Sequence, residues 1–266
     1  MSNKKDSLGD RMKENYENRS KTYLVRRMPV IIRLDGRAFH TFTKGFKRPY
    51  DEIFHNAMND TVKYLCENIQ GCKIGYTQSD EITLLLTDYE NLDTAAWFDY
   101  AVEKMCSISA SMATLAFNKA LRIHFEEYIC KILNEYDSYD WPQAEIKYCD
   151  DIENALEKGA MFDARVFNIP KEEVINCFLW RFLDCYRNSV QMLGQTYFNH
   201  KQLYKLSSAQ IQEKLFQECG INYAHCKEEF KNGICCYKDE LNKWKLEPMP
   251  DPRKNQDFFE KYFKFD

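Results

Sequence analysis

Two acidic positions, 45 residues apart, could together bind a divalent metal ion. Asp35 follows the β-branched run "PVIIRL" and precedes Gly36, while Asp80 and Glu81 close the stretch "YTQSDE" between two short apolar runs. Mg²⁺ prefers oxygen ligands and is commonly held by one or two carboxylates together with phosphates and water. Two such ions ~3.5–4 Å apart serve phosphoryl and nucleotidyl transfer. The pattern therefore indicates a metal-dependent site for a phosphorylated substrate.

Five cations lie in or beside the loop that follows Asp35, where a triphosphate would need countercharge: Arg33, Arg37, Lys44, Lys47 and Arg48. Gly36 would also let its backbone approach a phosphate or offer its carbonyl to a metal. A second interpretation is equally compatible with these residues. Asp-Gly after a β run is a common turn signal, and "QSDE" could be the solvated tip of a hairpin. The residues alone leave both interpretations open.

The hydrophobic periodicity predicts the elements that must position these acids. Strands are predicted over 28–36, 72–77, 81–87 and 162–169, with a last pair in "NGICCYK" and "KWKLEP"; helices over 50–70, 94–118, 120–135, 171–193 and 207–218. This order favours an α+β fold with one mostly antiparallel sheet and helices packed on one face. We divide the chain into an N-terminal polar helix (1–23), a catalytic core (24–135), an insertion or loop (136–160) and a completing region (161–266).

Composition narrows the class of protein. The 266 residues carry a net charge of −4, which excludes a uniformly basic nucleic-acid binder, so any polyanion must be held by local patches. The eleven cysteines include no Cys-x-x-Cys pair, and no apolar run approaches the ~20 residues of a membrane span. We therefore expect a cytoplasmic protein with reduced thiols and no membrane segment. The cluster His225, Cys226, Cys235 and Cys236 has a spacing that disfavours zinc.

The combination of "RLDGRAFHTF" and "YTQSDEITLLL" resembles the tRNA(His) guanylyltransferase family, including the relatives that repair tRNA 5′ ends. Further matches follow in order: "FDARV", "WRFLDCYRNS", "FNHKQLYKLSSAQIQEKLFQECGINY" and "KNG". The resemblance implies a palm-like polymerase fold. It also implies an enzyme that activates a tRNA 5′-monophosphate with ATP or GTP and then extends the RNA in the 3′–5′ direction.

The resemblance assigns expected roles. Two Mg²⁺ would be held by Asp35, the Gly36 carbonyl and Asp80, and Glu81 falls on a position important for activity without being a ligand. Nucleotide-binding residues would be Gly36, Arg37, Ala38, Phe39, His40, Ser79, Lys104 and Asn188, with Arg33 and Arg48 as weaker candidates. Arg181, Asp184 and Asn188 share one face of the predicted helix, which is equally typical of a solvated surface.

Some residues depart from the family pattern. Members that add G to tRNA(His) tend to have His-Ile-Asn-Asn where this chain has Tyr186, Arg187, Asn188 and Ser189. The form here resembles the repair branch, which copies a template by base pairing. Ala38 and Thr77 replace glycines of some members. We therefore expect template-dependent 5′-end repair of tRNA, with G addition to tRNA(His) as the alternative.

Two further functions are weaker alternatives. A palm-type nucleotide cyclase would usually carry Gly-Gly-Asp/Glu-Glu-Phe at the hairpin, and a catalytically inactive RNA-binding homologue would be expected to lack these carboxylates. Cations near the N-terminus are candidates for RNA contacts: Lys4, Lys5, Arg11, Lys13, Arg19, Lys21, Arg26 and Arg27. Because such a patch is small for a tRNA, we expect subunits to share the RNA, as the tetramers of the resembled family imply.

Overall fold

A six-stranded antiparallel sheet forms the centre of the computed structural model, which describes residues 7–135 and 141–264. The strands are β1 (Val30–Gly36), β2 (Cys72–Gln78), β3 (Glu81–Leu86), β4 (Phe162–Asn168), β5 (Ile234–Lys238) and β6 (Trp244–Pro248). Their order across the sheet is β4-β1-β3-β2-β5-β6. The predicted antiparallel palm-like sheet is confirmed, and β1 lies between β3 and β4, so the residue that ends it has a strand on either side.

The α-helices of the described residues connect and cover these strands. They are α1 (Ser7–Asn15), α2 (Phe39–Phe42), α3 (Glu52–Asn68), α4 (Val102–Glu135), α5 (Gln143–Lys158), α6 (Val174–Tyr197), α7 (His200–Leu203), α8 (Ser208–Cys219), α9 (Glu228–Asn232) and α10 (Gln256–Glu260). None of the helices in residues 7–135 and 141–264 has the length and hydrophobicity of a transmembrane segment.

Both faces of the sheet are covered, which corrects the expectation that helices pack on one face only. Ile32 and Leu34 point into a core shared with α3, α4 and α5, whereas Ile31 belongs to a second core with α6 and α10. Successive side chains of a strand point to opposite faces, so β1 supplies both cores. Arg33 and Asp35 consequently lie on the face that α6 covers.

Two helical regions differ from the sequence prediction. The runs predicted over 94–118 and 120–135 form a single helix, α4, after a short left-handed turn in which Phe98, Asp99 and Tyr100 have positive φ values. Residues 143–158, predicted to be part of an insertion or loop, form α5, which buries Tyr148, Ile152 and Ala155 along one narrow stripe. The part of that prediction over 136–140 lies outside the described residues, as do 1–6 of the N-terminal helix and 265–266 of the last region.

Candidate active site

The strand register brings the two acidic positions side by side. Asp35 pairs with Glu81 across β1 and β3, and the Gly36 amide donates a hydrogen bond to the Asp80 carbonyl at 3.1 Å. Gln78 pairs with Glu81, so Ser79 and Asp80 form a two-residue hairpin turn, with Ser79 in the left-handed region at φ 49°. The rigid ends of two adjacent strands therefore fix the spacing of the acids.

Asp35 and Asp80 have no ion pair or cationic hydrogen-bond donor among the residues that the structure describes. Burial raises the pKa of Asp80 to about 6, although its own backbone amide and the Ser79 hydroxyl, 3.1 Å from Oδ1, act in the opposite direction. Burial, reinforced by the nearby Glu81, also raises the pKa of Asp35. Both carboxylates are thus costly to ionise without a cation.

This donor set fits Mg²⁺. No group of three or more His, Cys, Asp or Glu side chains surrounds a possible metal position in residues 7–135 and 141–264. What Asp35 and Asp80 offer is two carboxylates on neighbouring strands, with the Gly36 backbone between them. Mg²⁺ typically binds in that way, because phosphates and water complete its coordination.

The carboxylate of Glu81, unlike those of Asp35 and Asp80, is paired with cationic side chains in the described part of the chain. It accepts hydrogen bonds from Arg33 (2.6 Å), Gln78 (2.7 Å) and Arg181. Arg181 is 3% exposed and also donates to Asp184 at 2.6 Å. The carboxylate oxygens of Glu81 are therefore already occupied by donors, and the residue ties α6 to the sheet rather than facing a metal.

The loop after Asp35 is built tightly against the core. Ala38 adopts left-handed φ and ψ values of 55° and 37°, and Phe39 is buried with ring centroids 5.1 Å from Phe162 and 5.5 Å from Phe117. A Cβ on Gly36 would lie 2.4 Å from the Phe39 ring. Gly36 is therefore required by close packing as well as by any ligand.

Only some of the backbone amides from Gly36 to His40, the residues expected to bind the nucleotide, are free to contact a phosphate. The Gly36 amide donates to Asp80, and the Arg37 amide donates to the Met161 carbonyl at 2.8 Å. The amides of residues 38–40 open the short helix α2, where no carbonyl one turn earlier is available to accept them. The expected contribution of the backbone is thus confined to Ala38, Phe39 and His40.

A cavity of about 550 Å³ begins at Gly36 and Asp80 and extends between α3 and α6. Its walls include Tyr50 and Phe230, whose rings stack with centroids 4.2 Å apart and planes at 11°. Tyr50 Oη and His55 Nε2 are buried there without hydrogen-bond partners. A cavity with aromatic walls and a few unsatisfied polar atoms can accept a nucleoside. Sequence reasoning missed Tyr50, His55 and Phe230, because no local motif marks them.

The other predicted residues divide into two groups. His40, Arg48, Ser79 and Asn188 line the cavity, with Asn188 also donating to Asp184 at 3.4 Å. Arg37 is exposed and does not line the cavity, and Arg33 is paired with Glu81 on the α6 face. Lys104 is not brought to the site.

Lys104 does not reach the site because it lies at the opposite end of the sheet, where β1 begins. It stands in the first turn of α4, and its ammonium is 5.8 Å from the Phe98 ring.

The adjacent cysteines Cys235 and Cys236 belong to the two different cores on opposite faces of the sheet. They cannot share a zinc ion, in agreement with the interpretation of their spacing.

Known proteins resemble the chain along most of its length. The family model described as Thg1, tRNAHis guanylyltransferase, matches residues 9–170. An uncharacterized protein of Acanthamoeba polyphaga mimivirus is 29% identical over 247 residues, covering 88% of this chain and 77% of that protein.

Two solved structures are similar in both sequence and fold. A bacterial tRNA(His) guanylyltransferase-like protein in complex with ATP has a TM-score of 0.81 and 38% identity, covering 97% of this chain and all of the other. A bacterial protein of the same description in complex with GTP has a TM-score of 0.76 and 34% identity, covering 98% of this chain and all of that one.

Proposed function

The chain belongs to the Thg1 (tRNAHis guanylyltransferase) family of nucleotidyltransferases, and we propose that it is a template-dependent 3′–5′ nucleotidyltransferase that repairs tRNA 5′ ends. The observation that carries this proposal is the pair Asp35 and Asp80. Both carboxylates lack a cationic partner among the described residues; Asp80 lines a cavity of nucleotide size, and Asp35 precedes Gly36, which also lines it.

The proposed reaction has two steps. A 5′-monophosphate oxygen of the RNA first attacks the α-phosphorus of ATP or GTP, and pyrophosphate leaves. The 3′-hydroxyl of the incoming nucleotide then attacks the 5′-phosphorus of the activated RNA, and the nucleoside monophosphate leaves. Two Mg²⁺ held by Asp35, Asp80 and the Gly36 carbonyl would supply Lewis-acid activation and charge neutralisation in both steps.

The protein's own residues bind and orient the nucleotide. Residues 38–40, whose amides are free, and Arg48 line the cavity and would bind the phosphates of the nucleotide. The stacked rings of Tyr50 and Phe230 would bound the base, and the unpartnered Tyr50 Oη and His55 Nε2 offer it hydrogen bonds. The bacterial relatives with bound ATP and GTP support nucleoside triphosphates as ligands.

Tyr186 favours repair over G addition. It stands where the G-adding members tend to have histidine. Its hydroxyl accepts a hydrogen bond from Gln212 at 2.7 Å, and its ring packs against Tyr223. This side chain is therefore engaged within the chain. G addition to tRNA(His) remains the second candidate, because the family takes its name from that activity.

We further propose a cytoplasmic homotetramer in which subunits share the RNA. The net charge of −4 and the short N-terminal basic segment support a composite surface, since a tRNA exceeds what one such segment can neutralise. A monomer that binds tRNA tightly at ~0.15 M salt would contradict this assembly. All eleven cysteines are free, as a reducing compartment would leave them.

The decisive experiment is incorporation into 5′-³²P-labelled tRNA that lacks its first nucleotide, with Mg²⁺, ATP and each nucleoside triphosphate in turn. Growth by the nucleotide complementary to the opposing template base, abolished in Asp80→Ala, supports repair. If only full-length tRNA(His) gains a G, the second candidate is correct. If nothing is added although labelled tRNA binds, the enzymatic proposal is wrong.

A further inference from the structure

Trp180 is a large aromatic side chain that the core does not use. The buried stripe of α6 contains Val174, Phe178 and Phe182, and Trp180 lies off that stripe with 49% of its surface exposed. Trp97, by contrast, is 8% exposed within the core beside α4. Burial of apolar area therefore does not account for a tryptophan at this position.

Two guanidinium groups surround the Trp180 ring. Arg33 Cζ is 5.2 Å from the ring centroid and Arg181 Cζ is 4.5 Å from it. Both arginines are fixed by their ion pairs with Glu81, and the Nε atom of each is buried without a hydrogen-bond partner. The three side chains form an aromatic surface backed by two carboxylate-paired guanidinium groups, which we call the Trp180 platform.

The Trp180 platform stands beside the reacting centre but outside the cavity. Arg33 and Asp35 point to the same face of β1, roughly 7 Å apart along the strand. The cavity wall on α6 is formed by Cys185, Asn188 and Met192, one to three turns further along the helix. The carboxylates thus separate two regions, a cavity on one side and the platform on the other.

A transfer between two polyanionic reactants needs both regions. If the nucleotide occupies the cavity, the RNA end must reach Asp35 and Asp80 from another direction. The face of the sheet on the opposite side of the carboxylates carries Arg33 on β1. The strand partner of Arg33 on β4 is the exposed Arg165. The exposed part of the Trp180 platform is the Trp180 ring, and aromatic rings of nucleic-acid-binding proteins stack on exposed base faces.

We infer that the Trp180 platform binds the 5′-terminal base of the RNA acceptor by stacking, and so holds the 5′-phosphate against Asp35 and Asp80. This inference rests on the proposed function. Trp180 is a positioning residue that acts before chemistry, and its contribution is to RNA binding rather than to nucleoside triphosphate binding.

The test compares Trp180→Ala and Trp180→Phe with Trp244→Ala. Trp244 is a matched control because it also lies 5.4 Å from a cation, Lys238, but on β6 at the far edge of the sheet. We expect Trp180→Ala to weaken binding of 5′-phosphorylated acceptor RNA about tenfold, the usual size of one base stack. Trp180→Phe should restore most of the affinity, while the Kd for ATP should stay unchanged in all three variants.

An abasic 5′-terminal nucleotide sharpens the test. With wild-type protein, removing that base should weaken RNA binding as much as Trp180→Ala does, and combining the two changes should add no further loss. Fully additive losses, or equal RNA affinity for Trp180→Ala and Trp244→Ala, would overturn the stacking inference while leaving nucleotide addition intact. Failure of the proposed function is distinct, because wild-type protein would then add no nucleotide to any RNA.

Discussion

Adjacent carboxylates in one sheet are treated in opposite ways. Asp35 and Asp80 are partly buried without a cationic partner among the described residues, whereas Glu81, directly next to Asp80, accepts hydrogen bonds from Arg33, Arg181 and Gln78. The charges of Asp35 and Asp80 are not neutralised by the part of the protein that the structure describes, and an external cation can neutralise them. The charge of Glu81 is already neutralised by arginines of the protein.

The adjacent residues Asp80 and Glu81 therefore have different roles, one toward an external cation and one in holding the structure. Unpaired acids are destabilising in the free protein, since burial raises their pKa and disfavours the charged form. The paired Glu81 fastens α6 across the strand end, and α6 carries Asn188 and the inferred RNA platform. Under the proposed function, metal binding and substrate placement would therefore depend on neighbouring side chains in opposite electrostatic states.

The largest effect on activity is expected for Asp80→Asn. Loss of a metal-binding carboxylate should lower nucleotide addition by about 10³-fold or more. Without metal, the folded protein binds a proton on Asp80 that the unfolded chain has released, between pH 3.8 and about 6. Its unfolding free energy consequently falls as pH rises through that window.

The same substitution should therefore not lower stability at pH 7. We expect metal-free Asp80→Asn to be more stable than wild type by about 1–2 kcal/mol, and to lack the pH slope that Asp80 causes. Denaturant titrations in EDTA at pH 4 and pH 7 measure both quantities. Equal slopes in the two proteins would show that Asp80 is not strained by burial.

Glu81→Gln should lower stability, unlike Asp80→Asn, and should reduce activity less than Asp80→Asn does. The substitution leaves the shape of the side chain but removes the negative charge between Arg33 and Arg181, so Arg33 loses its carboxylate partner and the buried Arg181 keeps only Asp184. We expect a loss of about 2–4 kcal/mol in unfolding free energy and a reduction in activity of about 10–100-fold.

The control for Glu81→Gln is Glu218→Gln, which breaks the surface pair with Lys214 and should cost less than about 1 kcal/mol. Isothermal titration with Mn²⁺ as a metal probe provides the second readout. Unchanged Mn²⁺ affinity in Glu81→Gln is expected, and a loss as large as that of Asp80→Asn would place Glu81 among the metal ligands.

Sequence periodicity was sufficient for the elements that hold the acids. The predicted helix over 50–70 and hairpin over 72–87 correspond to α3, β2 and β3, because a clear apolar stripe and short β-branched runs define them. The adjacency of Asp35 and Asp80 required one further step, because β1 pairs with β3, the second strand of the hairpin, and not with β2. The predicted order of one strand, a helix and a hairpin was enough to place the hairpin turn beside the end of β1.

Long-range partners could not be predicted in the same way. Arg181 meets Glu81 across 100 residues, and Tyr50 stacks on Phe230 across a larger separation still. Such pairs depend on the exact position at which α6 and α9 pack, which no sequence period encodes. The region 136–160 was misassigned for a different reason: α5 has a regular buried stripe, but the rest of its sequence is polar and charged, which is equally typical of a surface loop.

Gly36→Ala tests whether close packing of the loop after Asp35 maintains the geometry beside the unpaired acids. The new Cβ would lie 2.4 Å from the Phe39 ring, which is wedged among Phe42, Phe117 and Phe162 and cannot retreat. We expect the loop to shift, with a loss of about 1–3 kcal/mol in stability and about 10–30-fold in activity.

Gly220→Ala is the control for Gly36→Ala. Its φ of +69° makes alanine strained, yet nothing lies within 4 Å of the added Cβ. Unfolding free energy should fall by about 1 kcal/mol with activity unchanged. Equal losses of activity in the two variants would show that general destabilisation, rather than displacement of the loop beside Asp35, explains the Gly36 result.

The smallest effect concerns Asp51, a third kind of acid, which is buried but satisfied by neutral donors. It accepts hydrogen bonds from the Phe54 amide (2.9 Å), the Lys47 amide (2.9 Å) and the Tyr148 hydroxyl (2.7 Å), and it lines the cavity. Tyr148→Phe removes one donor from α5 and leaves the two amides. We expect a loss of about 1 kcal/mol in stability and a two- to threefold higher KM for the nucleoside triphosphate, with kcat unchanged.

Tyr237→Phe is the matched variant, since Tyr237 also extends its hydroxyl to an acid, Glu247 on β6, and neither residue lines the cavity. It should leave the KM unaltered. A rise in KM confined to Tyr148→Phe would show that α5 supports the nucleotide cavity through Asp51. Equal KM values in both variants and wild type would instead restrict α5 to a structural role, because an acid with two remaining amide donors would then keep its position without it.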